Sequence, residues 1–363
     1  VRARSREVEV VLRLAASKRV VVDAAEGSDW NLEVRNRLER LRSNFNLDFL
    51  TVVSPDGKAV MRAAAPYNTG DFVLPEAAVA QALRGESVKG TSVFSAEQLS
   101  EEAAGLQEQA FMMLEETPRA RATPRENETR GMVLMAAVPV QRANQVLGVI
   151  YGGILLNRNF DLIDQVAEVS FADVSKGTAT IFLRDTRVAT TVRRRNGNRA
   201  IGTRVSKEVA DRVLDNGLPW IGRAFVVKDW YLSAYDPIRD FKGEVIGMLY
   251  VGILEQPFKD LQWSIVFRYA GLSAFGLAIA LVLAFYLAGR LVQPIHRLAE
   301  SATQIRHGMD PDPVPIDAAC METQTMVNAF NEMTEALTER ENRLREANQK
   351  LERANESLTN LNR

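Results

Sequence analysis

The sequence predicts an α+β region built on two antiparallel sheets, followed by one membrane-spanning helix and an all-α region that ends in a coiled coil. Three observations lead to this fold class. A β-hairpin sequence occurs twice about one hundred residues apart, residues 269–288 contain no charged side chain, and an apolar stripe of heptad spacing follows them. A length of 363 residues allows two or three domains.

The overall composition narrows the class of function. Lys and Arg number 45 against 46 Asp and Glu, and this net charge of −1 leaves no whole-chain basic field for nucleic acid. The single cysteine, Cys320, excludes an intrachain disulfide, and His296 and His307 alone cannot complete a structural zinc site. No phosphate loop or hydrolase motif occurs, so we expect no catalytic residues, no metal and no cofactor in these residues.

The N-terminal part divides into a stalk and two sheet modules. Residues 1–45 predict a long helix with an interruption near Gly27 and Ser28. The strings at 148–155 and 247–254 are identical at five of eight positions, and a similar strand precedes each, so one hairpin is duplicated. Upstream of each lie a strand–turn–strand signal, a helical stretch and an extra strand. We therefore expect a membrane-distal module over residues 46–170 and a membrane-proximal module over residues 171–262.

An insertion distinguishes the distal module. Residues 96–116 hold six Glu and no Lys or Arg, and residues 119–130 are polar and contain proline. A solvated helix and a loop are the preferred interpretation, with a cation or partner site as the alternative.

Particular strings in this region resemble a known family. Residues 57–62, Gly70-Asp71 and residues 230–235 are similar to a tandem (double) Cache sensor, the extracellular ligand-binding region of bacterial receptors. The resemblance covers residues 2–260. It implies PAS-like antiparallel sheets, with small metabolites held between each sheet and its covering loops by cationic and aromatic side chains.

In the proximal module, Lys228, Trp230 and Tyr231 resemble the pattern of amino-acid-binding Cache domains. The family has Arg where Lys228 stands and Tyr where Arg223 stands, so the resemblance implies an anionic ligand without fixing it as an amino acid. Strand periodicity places Trp230 and Tyr231 on opposite faces. A core tryptophan with a rim tyrosine, and no ligand, is the alternative. Arg187 and Tyr235 complete the candidate ligand-binding set of this module.

In the distal module, Arg62 matches an arginine of dicarboxylate-binding relatives. Their nearby histidine is absent, because Ala64 and Ala65 occupy that region. We expect the ligand to be a small organic acid, bound through Arg62 or through the proximal set, since a guanidinium binds a carboxylate with two charge-assisted hydrogen bonds. The alternative makes Arg62 an ordinary surface residue.

The uncharged segment predicts a transmembrane helix over residues 265–289. Twenty residues at about 1.5 Å each match a bilayer core of about 30 Å. Arg290, Arg297 and Arg306 follow the span closely, which favours a cytoplasmic C-terminal side, an extracytoplasmic sensor and the cell inner membrane. Because the sequence starts at Val1, we expect a second, N-terminal span to have been trimmed.

After the span, the sequence resembles a HAMP domain over residues 290–340. Pro294 is expected to break the transmembrane helix, Gly308 and the following prolines to form a connector, and a second helix to begin near Met321. Glu322, Phe330 and Asn331 match the family's relay residues, although Met321 replaces the usual Asp. The resemblance implies an all-α four-helix bundle in a dimer.

The apolar stripe continues as a coiled coil through residues 341–363, with Leu337, Leu344 and Leu351 at equivalent heptad positions. We therefore predict a homodimeric transmembrane sensor that relays ligand binding to a missing cytoplasmic output domain. A histidine kinase acting with a response regulator is the leading output. A chemoreceptor or a diguanylate cyclase is the competing output, and a membrane-tethered binding protein without output is the alternative class.

Overall fold

A computed structural model describes residues 2–73, 77–171, 177–307, 313–315 and 321–361. The chain divides into two compact units, Val1–Lys259 and Asp260–Arg363, which are described separately. In the first unit, the predicted stalk consists of three helices: α1 (Arg2–Ala16), α2 (Arg19–Gly27) and α3 (Leu32–Asn44).

The interruption expected near Gly27 and Ser28 is confirmed. Ser28 has a left-handed conformation with φ of 54°, which ends α2, and the side chain of Asn31 accepts hydrogen bonds from two backbone N–H groups at the start of α3. A second break at Ser17 and Lys18 was not predicted. The helix α1 buries Val8 and Leu12 in the same apolar core as the distal sheet.

The distal module is a five-stranded antiparallel sheet. Its strands are β1 (Phe49–Val53), β2 (Ala59–Arg62), β3 (Val88–Phe94), β6 (Gly131–Arg142) and β7 (Gln145–Leu155). Their order in the sheet is β2-β1-β7-β6-β3. The helix α4 (Ala77–Leu83) corresponds to the stretch predicted over residues 75–84, of which Pro75 lies outside the described residues.

The insertion contains the predicted helix and loop, but one face of the helical part is packed against the module, which corrects the expectation of a wholly solvated segment. It folds into helices α5 (Ala96–Glu102) and α6 (Leu106–Ala110) and the short strands β4 (Met112–Met113) and β5 (Asn127–Glu128). Leu99 and Leu106 are buried in the distal core. Glu102 is also buried, and counting acidic residues could not show this because one helix face can bury a carboxylate that has partners.

The proximal module repeats the distal topology. After α7 (Phe160–Ser170) come β8 (Gly177–Leu183), β9 (Thr186–Thr190), α8 (Lys207–Ala210), a π-helical turn (Asp211–Asp215), β10 (Trp220–Val226), β11 (Asp229–Arg239) and β12 (Val245–Leu254). The sheet order is β10-β11-β12-β8-β9, so the final strand again lies between the first strand and the penultimate one. The duplication predicted from the two hairpin strings is thus present as two sheets of the same strand order.

The insertion connects the two modules. Arg121 forms ion pairs with Asp211 and Asp215 in the π-helical turn, and Arg125 pairs with Asp185 at 3.0 Å. The backbone N–H of Lys207 donates to the carbonyl of Arg119 at 2.7 Å. Residues 115–125 therefore lie against α8, the π-helical turn and the turn between β8 and β9.

Apart from residues 313–315, the described part of the second unit is almost entirely helical. The helix α9 (Gln256–Arg306) contains one stretch, Gln262–Gly289, that is long and apolar enough to cross a membrane. The break predicted at Pro294 is wrong, because α9 continues through that residue. A proline removes one backbone hydrogen bond, and the turns on either side keep theirs.

The second helix, α10 (Met321–Leu361), begins where the sequence predicted. Leu298, Val314 and Val327 form a small buried cluster between α9, the connector and α10, and Phe330 packs against it. Gly308, Pro311 and Cys320 lie outside the described residues.

Candidate functional site

The inner face of the proximal sheet carries a row of hydroxyl groups across four strands. Tyr235 lies opposite Tyr250, Tyr250 opposite Thr180, and Thr180 opposite Thr190. The two tyrosine rings are 4.8 Å apart between centroids, and the Tyr250 hydroxyl lies 3.0 Å from the Thr178 hydroxyl. Such a polar row in the middle of a buried sheet face is unusual for a purely structural core.

Strand alternation selects the side chains that point inward. On β11, Tyr231, Ser233 and Tyr235 are buried, whereas Leu232 between them is exposed. A glycine on the neighbouring strand makes room for the row, because a Cβ atom on Gly252 would lie 2.4 Å from the Tyr250 hydroxyl oxygen. The sequence therefore fixes both the direction of the phenols and the space they occupy.

Arg187 on β9 reaches into this face and is only 1% exposed. Its Nη1 donates to the hydroxyl of Thr203 in the covering loop, which is the segment 191–206 between β9 and α8. Its guanidinium carbon lies 4.8 Å from the centroid of the Phe182 ring. Its Nε atom is buried without a hydrogen-bond partner. Among the described residues, no carboxylate lies within 4.0 Å of its guanidinium nitrogens, so Arg187 is a buried cation without a counter-ion.

The protonation states in this patch follow from burial. Burial lowers the pKa of Arg187, and the neighbouring phenols Tyr235, Tyr250 and Tyr231 oppose that change. Burial also raises the pKa of all three tyrosines, so they remain neutral hydrogen-bond donors. One cation surrounded by neutral hydroxyl donors is an arrangement complementary to a small carboxylate.

A cleft of about 340 Å³ opens beside the edge strand β10, between that strand and α8. Trp220 and Ala224 line it, and in the sheet register these residues lie opposite Tyr235 and Tyr231. Trp220 and Ala224 thus belong to the face that carries the phenols, whereas Arg223, Phe225 and Trp230, which also line the cleft, belong to the opposite face. The indole Nε1 of Trp220 is buried there without a hydrogen-bond partner.

The outer part of the cleft is cationic and aromatic. The guanidinium carbons of Arg119 and Arg223 each lie 4.8 Å from the ring centroid of Trp230, which places one arginine from each module on the same indole. Arg223 also pairs with Glu255, with 3.0 Å between Nε and Oε1. Lys228 is exposed at the turn between β10 and β11 and does not line the cleft.

The structure separates the predicted proximal residues into two groups. Arg187, Tyr231 and Tyr235 share the buried face, and Arg223 and Trp230 share the cleft. The expectation that Trp230 and Tyr231 point to opposite faces is confirmed. The alternative of a core tryptophan with a rim tyrosine is wrong, because Tyr231 is the buried residue and Trp230 is half-buried. Ligand binding by any of them stays a prediction.

Arg62 in the distal module is buried to the same degree as Arg187, so it is not an ordinary surface residue. Its Nη1 and Nη2 donate to the two carboxylate oxygens of Asp71 at 2.6 and 2.7 Å, and Nη1 also donates to the carbonyl of Asn68 at 2.7 Å. Burial favours a lower pKa for Arg62, but the hydrogen bonds to Asp71 and the charge of Glu102 outweigh it and raise that pKa. Arg62 is therefore already neutralised from within the chain.

Several residues of the proximal and distal sites are not among those predicted from the sequence. Tyr250 belongs to the repeated string and aligns with Tyr151, so a buried tyrosine at the same place in both modules was a usable signal. Thr203 lies in a loop without periodicity, and no pattern points to it. Glu102 was hidden in the insertion, where its five companion glutamates suggested a solvated surface.

In the second unit, the predicted relay residues occupy different settings. Pro294 lies within α9, and Glu322 is exposed in the first turn of α10. The side-chain amide of Asn331 accepts from the backbone N–H of Val314 at 3.2 Å and donates to its carbonyl at 3.0 Å. Phe330 packs against the cluster next to it.

Among the described residues, no group of three or more His, Cys, Asp or Glu side chains could hold a metal ion.

One protein-family model matches part of this chain. Residues 154–265 match the family model described as single Cache domain 3, which confirms the Cache resemblance for α7, the proximal sheet and the start of α9. Among curated proteins, no significant match to this sequence is found.

Solved structures of sensor domains are similar at low identity. The sensor domain of the V. cholerae histidine kinase DctB has 12% identity and a TM-score of 0.37, with 67% of this chain and 87% of that chain covered. The ligand-binding domain of the Pseudomonas fluorescens chemoreceptor CtaA, in complex with L-alanine, has 13% identity and a TM-score of 0.36, with 68% and 87% covered. The periplasmic domain of Vibrio cholerae LuxQ has 13% identity and a TM-score of 0.36, with 70% and 94% covered.

Proposed function

We propose that this chain, whose residues 154–265 form a Cache sensor domain, is a transmembrane receptor for a small carboxylate that binds in the proximal module. The observation that carries the proposal is the buried guanidinium of Arg187, which has no carboxylate partner among the described residues. An unpaired buried charge is costly, so a fold that retains one has a use for it.

The chemistry around Arg187 favours a carboxylate over other ligands. A cationic ligand would be repelled by Arg187, and a purely apolar ligand would leave the guanidinium and the phenols unsatisfied. A carboxylate would accept from the Arg187 Nε, which has no hydrogen-bond partner, and from the hydroxyls of Tyr235 and Tyr250. The cleft bordered by Trp220 and Ala224 is the proposed route of entry, because these two residues lie opposite Tyr235 and Tyr231 in the sheet register.

The binding proposal is tested on the full chain in lipid nanodiscs. A thermal-shift screen of mono-, di- and tricarboxylates and amino acids is followed by titration calorimetry of the acids that raise the unfolding midpoint. Arg187→Met should abolish the response, and Tyr235→Phe should weaken affinity about tenfold, the effect of losing one hydrogen bond of about 1.4 kcal/mol.

Two further variants sharpen the binding test. Arg195→Gln removes an exposed arginine of the same covering loop and should leave affinity unchanged. Arg223→Gln distinguishes the role of the outer part of the cleft from that of the buried face. It should lower the association rate constant by a larger factor than it lowers the affinity. If Arg187→Met responds to every acid as the parent chain does, the site assignment is wrong.

The same proposal places the sensor outside the cytoplasm. The stretch Gln262–Gly289 would cross the inner membrane, and the arginines that follow it would lie on the cytoplasmic side. Labelling of single cysteines in intact cells with a membrane-impermeant maleimide tests this topology in the Cys320→Ser background. We expect a cysteine at Asn196 to react and a cysteine at Glu352 to be protected, and the reverse pattern would invert the orientation.

The relay proposed for the second unit is a homodimeric HAMP domain and coiled coil. Support comes from the exposed apolar stripe of Met333, Leu337, Leu344 and Leu351 on α10, which a second copy of the helix would cover. The ligand signal would select one of two packings of this bundle and control a cytoplasmic output domain. A histidine kinase with its response regulator is the proposed output, and a chemoreceptor or diguanylate cyclase output is the alternative.

Distances between spin labels test the relay. Labels at exposed positions of α10, such as Glu341 and Glu352, should report a distance between protomers that changes when the acid found in the screen is added. A distance that stays constant in a chain that demonstrably binds the acid would favour a membrane-tethered binding protein without output.

A further inference from the structure

The distal module contains a second buried polar cluster, centred on Glu102. The carboxylate of Glu102 accepts hydrogen bonds from the Thr51 hydroxyl at 2.6 Å and from the Tyr151 hydroxyl, and its Oε1 lies 3.6 Å from Nη2 of Arg62. Glu102 is 4% exposed, and Thr51 and Tyr151 are fully buried. A cation, a phenol and a threonine hydroxyl thus surround a single carboxylate.

The position of this cluster corresponds to the row of hydroxyls in the proximal module. Thr51 lies opposite Tyr151 in the distal sheet, as Thr180 lies opposite Tyr250 in the proximal sheet, and both tyrosines belong to the repeated string. The two sheets also share their strand order. The Glu102 carboxylate therefore lies at the position of the distal sheet that corresponds to the phenols of the proximal sheet. Among the described residues, the proximal sheet has no carboxylate at that position.

The carboxylate arrives on an element outside the sheet. Glu102 is the last residue of α5, a helix whose start is fixed by a capping box between Ser95 and Gln98. Leu99 of the same helix is buried in the distal core. The helix thereby holds the carboxylate over the sheet in the way that a covering loop holds a bound ligand.

We infer that the distal sheet is a carboxylate-binding site that the chain itself occupies, with Glu102 as a ligand tethered in cis. Tethering supplies the carboxylate at an effective concentration in the millimolar range or above. Free carboxylates at micromolar concentrations therefore do not displace Glu102, and the distal module of the parent chain does not respond to them. This inference concerns Arg62 and is independent of the proposal for Arg187.

The inference predicts that a free carboxylate can replace the side chain of Glu102. In Glu102→Ala, the space and the hydrogen-bond donors of the site become available to formate, acetate or propionate. We expect the unfolding midpoint of the full chain in nanodiscs to fall, and each of these anions to restore at least half of the loss in a saturable way. Half-saturation should lie in the millimolar range, as a ligand of about four non-hydrogen atoms allows.

Four controls isolate the effect. Propionamide, which is neutral, should not rescue, and neither should chloride at the same ionic strength. Glu97→Ala, which removes an exposed carboxylate from the same helix, should show no carboxylate-dependent shift. Glu102→Gln keeps the site filled and should also show none. All measurements are repeated in the Arg187→Met background. In that background the proximal site does not bind carboxylates, so any carboxylate-dependent shift is assigned to the distal site.

The outcomes separate clearly. Saturable rescue by small carboxylates that persists in the Arg187→Met background supports the tethered ligand. If Glu102→Ala is unfolded at 25 °C, the same titration is followed as a carboxylate-dependent gain of folded protein. The inference is overturned if none of the three anions raises the unfolding midpoint of Glu102→Ala or restores its folding. The anions are tested at concentrations up to 100-fold above the expected half-saturation.

Discussion

The two sheet modules share a strand order but treat their buried arginines in opposite ways. Arg62 and Arg187 are both 1% exposed. In the distal module, Asp71 and Glu102 neutralise Arg62, whereas the described partners of Arg187 are a threonine hydroxyl, an aromatic ring and nearby phenols. Duplication of a fold therefore does not duplicate its electrostatics, and the module with the uncompensated charge is the better candidate for ligand binding.

The difference begins with one position in each sheet. The register places Ala137 opposite Tyr151 in the distal sheet and Tyr235 opposite Tyr250 in the proximal sheet. The distal sheet therefore lacks the second phenol that the proximal sheet places beside its repeated tyrosine, and the Tyr151 hydroxyl donates instead to the Glu102 carboxylate, which also accepts from Thr51. The distal site is thus satisfied by a residue of the chain, and the proximal site presents donors.

The largest expected effect is the loss of the distal arginine. Arg62→Gln leaves Asp71 and the buried Glu102 without their cation, and removal of one partner from a buried ion pair costs about 3–5 kcal/mol. We expect the free energy of unfolding of the sensor region, measured by urea titration, to fall by that amount. Arg84→Gln, at an exposed position of the same module, should change it by less than about 0.5 kcal/mol. An equally small change for Arg62→Gln would show that the internal pairs do not stabilise the fold.

The proximal arginine should respond with the opposite sign. Arg187→Met replaces a buried, unpaired cation by an apolar side chain of similar length, and relief of that desolvation is worth about 1–3 kcal/mol. The same urea titration without ligand should therefore show an increased free energy of unfolding, although ligand binding is lost. A decrease comparable to that of Arg62→Gln would break the comparison, because it would make Arg187 a structural residue.

The smallest expected effect is a difference in the pH dependence of stability. The hydrogen bonds from Arg62 lower the pKa of the Asp71 carboxyl, so the folded state favours its charged form. The charged Asp71 carboxylate therefore contributes fully to the free energy of unfolding above the unfolded-state pKa of about 3.9. This contribution disappears as the pH falls through the lower folded-state pKa. The difference in unfolding free energy between the parent chain and Asp71→Asn should be largest near neutral pH. It should shrink toward zero at acidic pH.

A double variant provides the control for the pH prediction. In the Arg62→Gln background, Asp71 has lost the partner that lowers its pKa, so Asp71→Asn should no longer produce a gap that closes in acid. Persistence of the same pH dependence in that background would assign the effect to another group.

Much of the architecture could be predicted from local sequence. The repeated strings, the turn at Asp56-Gly57 and the alternation along β11 predicted strands that the structure contains. The start of α10 near Met321 was also predicted, because an apolar stripe marks a helix wherever it occurs. The break predicted at Pro294 is wrong, since a long helix can continue after the loss of one backbone hydrogen bond.

The sequence by itself determined that two similar sheets form, and that arginines and tyrosines lie on their strands, because period and turn chemistry are local properties of the chain. Only the tertiary structure decided which arginine is neutralised. Asp71 and Glu102 come from segments outside the strand of Arg62, and the phenols around Arg187 come from strands paired at long range. Charge compensation depends on distances of a few ångströms between such segments, and no periodicity in the sequence encodes those distances.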